Sequence, residues 1–469
     1  IINVSYINKS PMYLLSLFLF CFLPISVLLY KVAKSIKIQN ILLVVLSLLF
    51  YAWGNPVHVI LLILSILWNY FTALELNEQE DEKARKIILI VAIVVDLLLL
   101  GVYKYTGFVM NILHIQSSIQ IALPVGLSFF TFSELSYLFD VYNNKSEPQK
   151  NLISYSLYVS FFGKISMGPI VSYHDMEAQL NDRTVSKAQF ASGVVLFSKG
   201  LIKKVLLADQ LSYVYSVLQN NQSVMGVWLL AICYMLQIYF DFSGYSDMAI
   251  GLSRFFGFDF APNFEHPYTA ISVQDFWRKW HISLSRWFRD YLYIPLGGNR
   301  VDQNTYIRNI FIVWFSTGLW HGANWTFIVW GIYYGGFLLL EKFFLKEKLE
   351  KLPTFISHIY TLFVVLIGWV FFMSQSLGSA FSVIGKMFGI GASAFVDNQA
   401  AFMFKSYLIL FILAIIFSTK VYDNLQIFFY NQFKMKTVYT TWAVYIIMLI
   451  ICIAFIVGGT YHSFLYFAF

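Results

Sequence analysis

Apolar runs about as long as a bilayer is thick recur along nearly the whole chain, parted by short polar turns. This rhythm predicts a set of membrane-crossing helices. Residues 12–30, 38–53, 57–74 and 87–106 read as the first four crossings. Residues 123–142 and 157–176 follow, the second interrupted at Gly168-Pro169, as expected where a broken helix lines a cavity instead of lipid. Residues 190–208, with Lys199, Lys203 and Lys204 close together, predict a tilted or interfacial helix on the cytoplasmic side, and 224–252 is long enough to cross once and continue. Runs at 324–345, 355–374, 403–419 and 438–457 bring the expected count to about eleven to thirteen transmembrane or re-entrant helices. The predicted fold class is an all-α polytopic membrane protein, a single integral-membrane domain over residues 1–469. There is no sequence repeat, and the longest polar stretches, near 75–86 and 143–151, are too short to fold alone.

One stretch departs from this rhythm. From Ser272 to Trp325 the chain reads SVQDFWRKWHISLSRWFRDYLYIPLGGNR, then a polar turn, then NIFIVWFSTGLWHGANW. In its first half Phe276, Trp280, Leu284, Phe288 and Leu292 recur every four residues, the apolar face of a helix lying at a membrane surface. Ser272 with Asp275 three residues on predicts the start of that helix, and Pro295 with Gly297-Gly298 its end. The second half is apolar enough to enter the bilayer yet carries His321 between a tryptophan and a glycine. An ionisable group at that depth is costly, so it reads first as a functional residue.

Composition fixes the class independently. Of the 469 residues 59% are hydrophobic and 12% charged, about half the charged fraction of a soluble protein, and the mean hydropathy is +0.67. A formal charge of +7 fits basic loops held at an anionic cytoplasmic leaflet. No soluble basic domain exists to bind nucleic acid. Lys31, Lys34 and Lys37 after the first run, and Lys83, Arg85 and Lys86 after the third, both fall on the cytoplasmic side if the N-terminus lies outside. The first run lacks a basic leader and a small-residue cleavage site, and is expected to be a retained span, although the sequence opens on Ile1. Cys21, Cys233 and Cys452 are far apart in apolar runs, without a CxxC, and predict no disulfide framework.

The candidate chemistry centres on two histidines. A histidine titrates near neutral pH and can take a proton from a hydroxyl nucleophile. His281 has Trp277 one helical turn before it, so that indole is expected to wall the imidazole. His321 sits in Gly318-Leu319-Trp320-His321-Gly322, whose glycine spacing lets another helix approach closely. Both also suit satisfied core histidines. A metal is not expected: neither histidine has a second one at ligand spacing or a nearby cysteine. Asp96, alone in the fourth run, fits a structural carboxyl facing the bundle interior better than a proton relay.

Six blocks resemble the membrane-bound O-acyltransferase family, in its bacterial alginate and peptidoglycan O-acetyltransferase branch. They are FYAWGNP (50–56), LPVGLSFFTF (123–132), YFDFSGYSDMAIGL (239–252), NFEHPY (263–268), DFWRKWHISLSRWFRDYLYIPLGGNR (275–300) and GLWHGANW (318–325). The resemblance implies a ring of helices around a thin centre, with a cytoplasmic funnel facing an outer one. It places His321 at the constriction as the group acting in acyl transfer and His281 beside it as the second catalytic residue. Trp277, Trp280, Trp320, Asn324, Asp241 and Tyr245 are then expected to line the tunnel. The donor implied is a cytoplasmic thioester, acetyl-CoA, used as a substrate with no bound cofactor. Arg278, Lys279, Arg286, Arg289 and Arg300 form a basic surface suited to its phosphates, although each alone also suits a snorkelling interfacial charge.

The final FLYFAF resembles the branch's short aromatic C-terminal motif, which implies that Tyr466 relays the acyl group outward and that the sequence ends at the natural C-terminus. An aromatic belt residue anchoring the chain end is the alternative. Further expectations are a bacterial cytoplasmic membrane location, contact with membrane lipid, a glycan acceptor, and an extracytoplasmic SGNH-type partner that completes the transfer. Two other classes stay open. One is the same fold moving D-alanine from a carrier-protein thioester to a cell-wall polymer. The other is a polysaccharide or proton transporter, for which the expected inverted repeat is not seen.

Overall fold

The computed structural model describes residues 17–54, 56–115 and 121–458. Among them every regular element is helical. Among the described residues seven helices are long and apolar enough to cross a membrane: Ile36–Trp53, Pro56–Glu78, Glu82–Ile112, Val224–Phe255, Trp325–Lys351, Thr354–Met373 and Val438–Val457. The pair Asn398–Ser406 and Leu408–Ser418, bent by 60°, makes an eighth if it is one span. Most of the other expected crossings are realised as shorter helices. They carry too many polar side chains, or are too short, to face lipid over a full crossing. The described residues thus form a multi-pass membrane protein.

The chain divides into two compact units. The first runs to Phe197 and adds Ala249–Ala261 and Arg289–Tyr291; the second holds Ser198–Met248, Pro262–Phe288 and the chain from Leu292 onward. In the first unit α1 (Leu23–Val32), α2 (Ile36–Gly54), α3 (Pro56–Glu78) and α4 (Glu82–Ile112) are the N-terminal helices. Asp81 caps α4 by accepting from the amides of Lys83 and Ala84, at 3.2 and 3.3 Å. Of these, α3 and α4 pack against α5 (Leu127–Tyr142), which is buried on nearly every side. A helix so placed can carry polar groups only if its neighbours satisfy them. Ser65 donates to Glu134 at 2.7 Å and Tyr291 to Asp140 at 2.9 Å, while Asn69 donates to Asp96 at 3.2 Å. Asp96 thus faces the bundle interior.

The run 157–176 is broken more widely than Gly168-Pro169 suggests. Helix α6 (Leu152–Ser160) stops before Phe161, and α7 (Tyr173–Asn181) starts at a Ser172 cap. The irregular backbone between them buries Lys164, whose ammonium donates to Ser133 at 3.2 Å. Gly126, with φ 71°, starts α5 where a Cβ would run into the Ile165 carbonyl.

The next helices are α8 (Lys187–Ile202), α9 (Asp209–Leu218) and α10 (Val224–Phe255). Within the second unit, Gly200 and Gly244 let α8 and α10 touch backbone to backbone: a Cβ on Gly244 would come within 2.8 Å of the Gly200 carbonyl oxygen. The same unit holds α11 (Val273–Lys279), α12 (Ile282–Phe288), α13 (Gln303–His321), α14 (Trp325–Leu340) and α15 (Thr354–Met373). Helices α13 and α14 form a tight hairpin. A Cβ at Gly318 would strike the Phe327 carbonyl, and one at Gly331 the Trp314 carbonyl. The close approach expected from the Gly318–Gly322 spacing is made by α14.

Candidate active site

Both histidines belong to the second unit, and each sits where a helix ends. Ser272 accepts the Asp275 amide at 3.0 Å, the cap its spacing predicted. Asp275 holds Lys279 at 2.7 Å one turn on. A second carboxylate reinforces this start. Buried Glu341 accepts from the amides of Val273 and Gln274, at 2.7 and 3.1 Å, where a helix presents its unsatisfied donors and positive dipole end.

The helix does not run on as one surface rod. It stops at Trp280, and His281 takes a left-handed backbone with φ 43° before α12 begins. Residues 263–265 brace the break: Glu265 donates its amide to the Lys279 carbonyl and Ile282 its amide to the Asn263 carbonyl, both at 3.0 Å. The four-residue stripe is real, but it faces protein. Phe276, Trp280, Leu284 and Phe288 are all buried, and Trp280 packs on Trp369 at 4.8 Å between ring centroids. Periodicity reports an apolar face and is silent on what covers it. Gly297 and Gly298, both left-handed, end the stretch as expected.

The break fixes the His281 ring. Its Nδ1 lies 3.3 Å from the Asn263 side-chain oxygen. That oxygen already accepts the Ser283 amide at 3.0 Å, which identifies it as the acceptor end of the amide, so Nδ1 carries the proton. Nε2 is buried with a lone pair and no protein hydrogen-bond partner among the described residues. Phe242 meets the ring edge-on at 4.7 Å, Phe264 stacks at 6.4 Å and Trp320 lies at 6.3 Å. These rings wall the imidazole; the break between Trp277 and His281 undoes the one-turn relation expected of that pair. Residue 281 lies outside the spans, and burial pushes its imidazole down to about 3, so the ring is neutral at physiological pH.

His321 is the last residue of α13 and 3% exposed. Its ring meets Trp330 at 4.9 Å, Phe372 at 5.3 Å and Trp320 at 4.9 Å. Trp320 is therefore shared by the two histidines. Around them Trp277 packs on Trp314 and Tyr334, each at 4.8 Å, and Trp330 faces Trp369 at 6.3 Å. The indole N–H groups of Trp277, Trp330 and Trp369 are buried without a protein acceptor among the described residues. Buried donors are nearly always paired. Trp330 touches His321 directly and Trp277 and Trp369 reach it through Trp330. Three unpaired donors and a bare imidazole nitrogen thus share one aromatic cage with the two histidines, a cage that can bind the polar atoms of a reactant.

Other expected residues fall elsewhere. Asp241 is bound to Lys204 at 2.6 Å, and Lys204 also holds Asp209 at 2.7 Å, all three 2% exposed. Asn324 caps α14 through the Thr326 amide at 3.1 Å and donates to the Gln375 carbonyl at 2.9 Å. Tyr245 is half-buried on α10. Of the basic set, Arg278, Arg286 and Arg300 are exposed in the second unit and Lys279 is tied to Asp275. Arg289 falls in the first unit, in a 2.7 Å pair with Asp290. Tyr466 lies outside the described residues. Asn263, Glu341, Trp330 and Trp369 went unmarked. A lone acid in an apolar run was a usable signal for Glu341, whereas the others needed the fold.

Fold and site together define a polytopic membrane protein with a buried histidine centre. The model of the membrane-bound O-acyltransferase family matches residues 123–384. The chain is 37% identical over 431 residues to the Probable alginate O-acetylase AlgI of Pseudomonas syringae pv. tomato, covering 89% of this chain and 83% of that protein. It is 35% identical over 416 residues to the Peptidoglycan O-acetyltransferase of Helicobacter pylori, covering 80% and 79%. Similarity to the Teichoic acid D-alanyltransferase of Bacillus subtilis is 25% over 273 residues, covering 54% and 69%. The chain belongs to the membrane-bound O-acyltransferase family and is an O-acyltransferase.

Proposed function

We propose that this protein moves an acetyl group from cytoplasmic acetyl-CoA across the bacterial cytoplasmic membrane for O-acetylation of an extracytoplasmic polysaccharide or cell-wall glycan, the whole chain acting as one integral-membrane domain. The relatives' names support acetyl over D-alanyl: the alginate and peptidoglycan acetylating proteins match over at least 80% of this chain, the D-alanyltransferase over 54%. The N-terminus lies outside, as the basic turns at Lys31–Lys37 and Lys83–Lys86 favour.

The observation that carries the mechanism is the cage: two buried histidines sharing Trp320, with unpaired donors around them. His321 takes the proton from the acceptor hydroxyl as the oxygen attacks the thioester carbonyl. The indole N–H groups face the negative charge that grows on the carbonyl oxygen. The C–S bond then breaks, and the His321 imidazolium returns its proton to the departing thiolate. His281, neutral and tethered through Asn263, orients the reacting groups through Nε2. Arg278, Arg286 and Arg300, with Lys279 beside them, hold the donor's phosphates. Tyr466 is the first acceptor and passes the acetyl group to an SGNH-type partner outside.

Purified protein with radiolabelled acetyl-CoA tests this. Wild type is expected to consume thioester and retain label, and His321→Ala to do neither. Tyr466→Phe, which deletes only the hydroxyl, is expected to lose the retained label. Thioester left intact by the wild type, with or without a glycan acceptor, would return the carrier-protein donor to first place.

A further inference from the structure

A second binding feature lies in the first unit, built wholly from residues outside the histidine cage. A cavity of about 660 Å³ opens between the α1–α2 turn and the segment from α7 to α8. That volume suits a small ligand. Its rim carries Lys31, Lys34 and Lys187, all exposed, and none has a carboxylate within ion-pair distance among the described residues. The one acid on the rim is Asp182.

The wall adds a more telling cation. Arg183 is 9% exposed, and its bonds go to neutral oxygens: Asn40 at 2.7 Å, and the Tyr30 hydroxyl and the carbonyls of Phe256 and Gln179 at 3.1 Å each. Its guanidinium lies over the Phe258 ring, 4.4 Å from the centroid. A buried cation held only by dipoles keeps its field, and the cavity it lines has low-dielectric walls that focus that field on an anion. The other side of the cavity is apolar, with Phe190 and Phe255, and the Lys31 ammonium rests 4.5 Å above the Phe190 centroid.

We propose that this cavity binds the phosphate of an anionic phospholipid, its headgroup among Lys31, Lys34 and Lys187 and the start of an acyl chain along Phe190 and Phe255. The place suits a lipid. Lys31 and Lys34 flank the end of the apolar helix that closes at Val32 and the start of the Ile36–Trp53 span, the depth at which headgroups lie. Basic turns at that depth are drawn to the anionic cytoplasmic leaflet. The inference is independent of the acyl-transfer mechanism.

The test uses delipidated full-length protein in detergent, titrated with phosphatidylglycerol or phosphatidylcholine and followed by native mass spectrometry, with inorganic phosphate as competitor. Phosphatidylglycerol is expected to bind well ahead of phosphatidylcholine. Lys34→Gln and Lys187→Gln should each weaken it roughly fivefold, and Asp182→Asn should strengthen it. All three positions are exposed and spare the core. Displacement of the lipid from the wild type by millimolar inorganic phosphate would make the site one for free phosphate and overturn the lipid assignment; lipid retained against phosphate supports it. Equal binding of the two lipids, or unchanged binding in the lysine variants, overturns the proposal.

Discussion

Two regions of the second unit bury polar groups in opposite ways. Between α8 and α9, Lys204 is clasped by Asp241 of α10 and Asp209 at the start of α9, and Lys203 by Asp247 of α10 at 2.7 Å. In the histidine cage the imidazole nitrogen of His281 and three indole N–H groups have no protein partner among the described residues. In sequence only His321, of the cage, stood out as Lys204 and Asp241 did, as an ionisable residue in a largely apolar stretch. Burial of a charge therefore does not mark a site by itself. Charges that answer each other hold helices together, whereas polar atoms left unanswered inside a rigid aromatic wall are held ready for something that arrives.

The sharpest way to break this comparison is to remove the centre of each region. His321→Ala should lower acyl transfer by about 10²- to 10⁴-fold, the usual worth of a general base. Its melting temperature in detergent should stay close to wild type, because aromatic contacts hold that pocket. Lys204→Met should do the reverse. It leaves Asp209 and Asp241 facing each other in a core where both are 2% exposed. Breaking such a buried pair costs about 3–5 kcal/mol, so the variant should lose yield and aggregate on size-exclusion chromatography. A well-folded Lys204→Met protein without activity would move the triad into the site.

Asn263→Ala sharpens the cage side of the comparison. The Asn263 side chain ties the His281 Nδ1 proton to the Ser283 amide, while the Ser283 hydroxyl stands at 3.5 Å from the same nitrogen. Loss of the Asn263 side chain leaves Nδ1 to the Ser283 hydroxyl, which can either donate or accept and so no longer fixes the tautomer. It should lower the turnover rate by about tenfold or more, as loss of the partner that fixes a functional imidazole does. The apparent KM for acetyl-CoA should barely change. A rise in KM with turnover intact would make Asn263 a donor-binding residue. Asn263→Asp, which keeps the acceptor oxygen, should recover most of the rate.

The fold class was legible because apolar length and charge depletion are one-dimensional quantities. The Ser272 cap and the Gly297-Gly298 end were legible for the same reason: each depends on a few adjacent residues. The break at His281 was not, because what holds it is Asn263 and Glu265, contributed from another segment. The stripe from Phe276 to Phe288 was read at the correct period and assigned the wrong cover, since lipid and buried tryptophan look alike to a periodicity. Asp241 shows the same limit: its partner Lys204 lies 37 positions away. The indoles of Trp330 and Trp369 carry no sequence signal at all, as tryptophan is common in apolar runs and only the fold packs Trp330 on His321 and Trp369 on Trp330.

The mildest test is Asp247→Asn. Lys203 and Asp247 are 15% and 20% exposed, against 2% for each member of the Lys204 group. A pair with access to solvent has a smaller desolvation penalty to recover, and its contribution is on the order of 1 kcal/mol or less. Asparagine also keeps an oxygen for the lysine. The variant should therefore fold, melt within a few degrees of wild type, and transfer acyl groups at a rate within about twofold. Raising the salt concentration should shrink even that difference, since a partly exposed pair is screened and a buried one is not. Should Asp247→Asn instead unfold the protein as badly as Lys204→Met, burial would no longer rank the two ion pairs, and the contrast between answered and unanswered polar groups would have to be redrawn around the whole of α10.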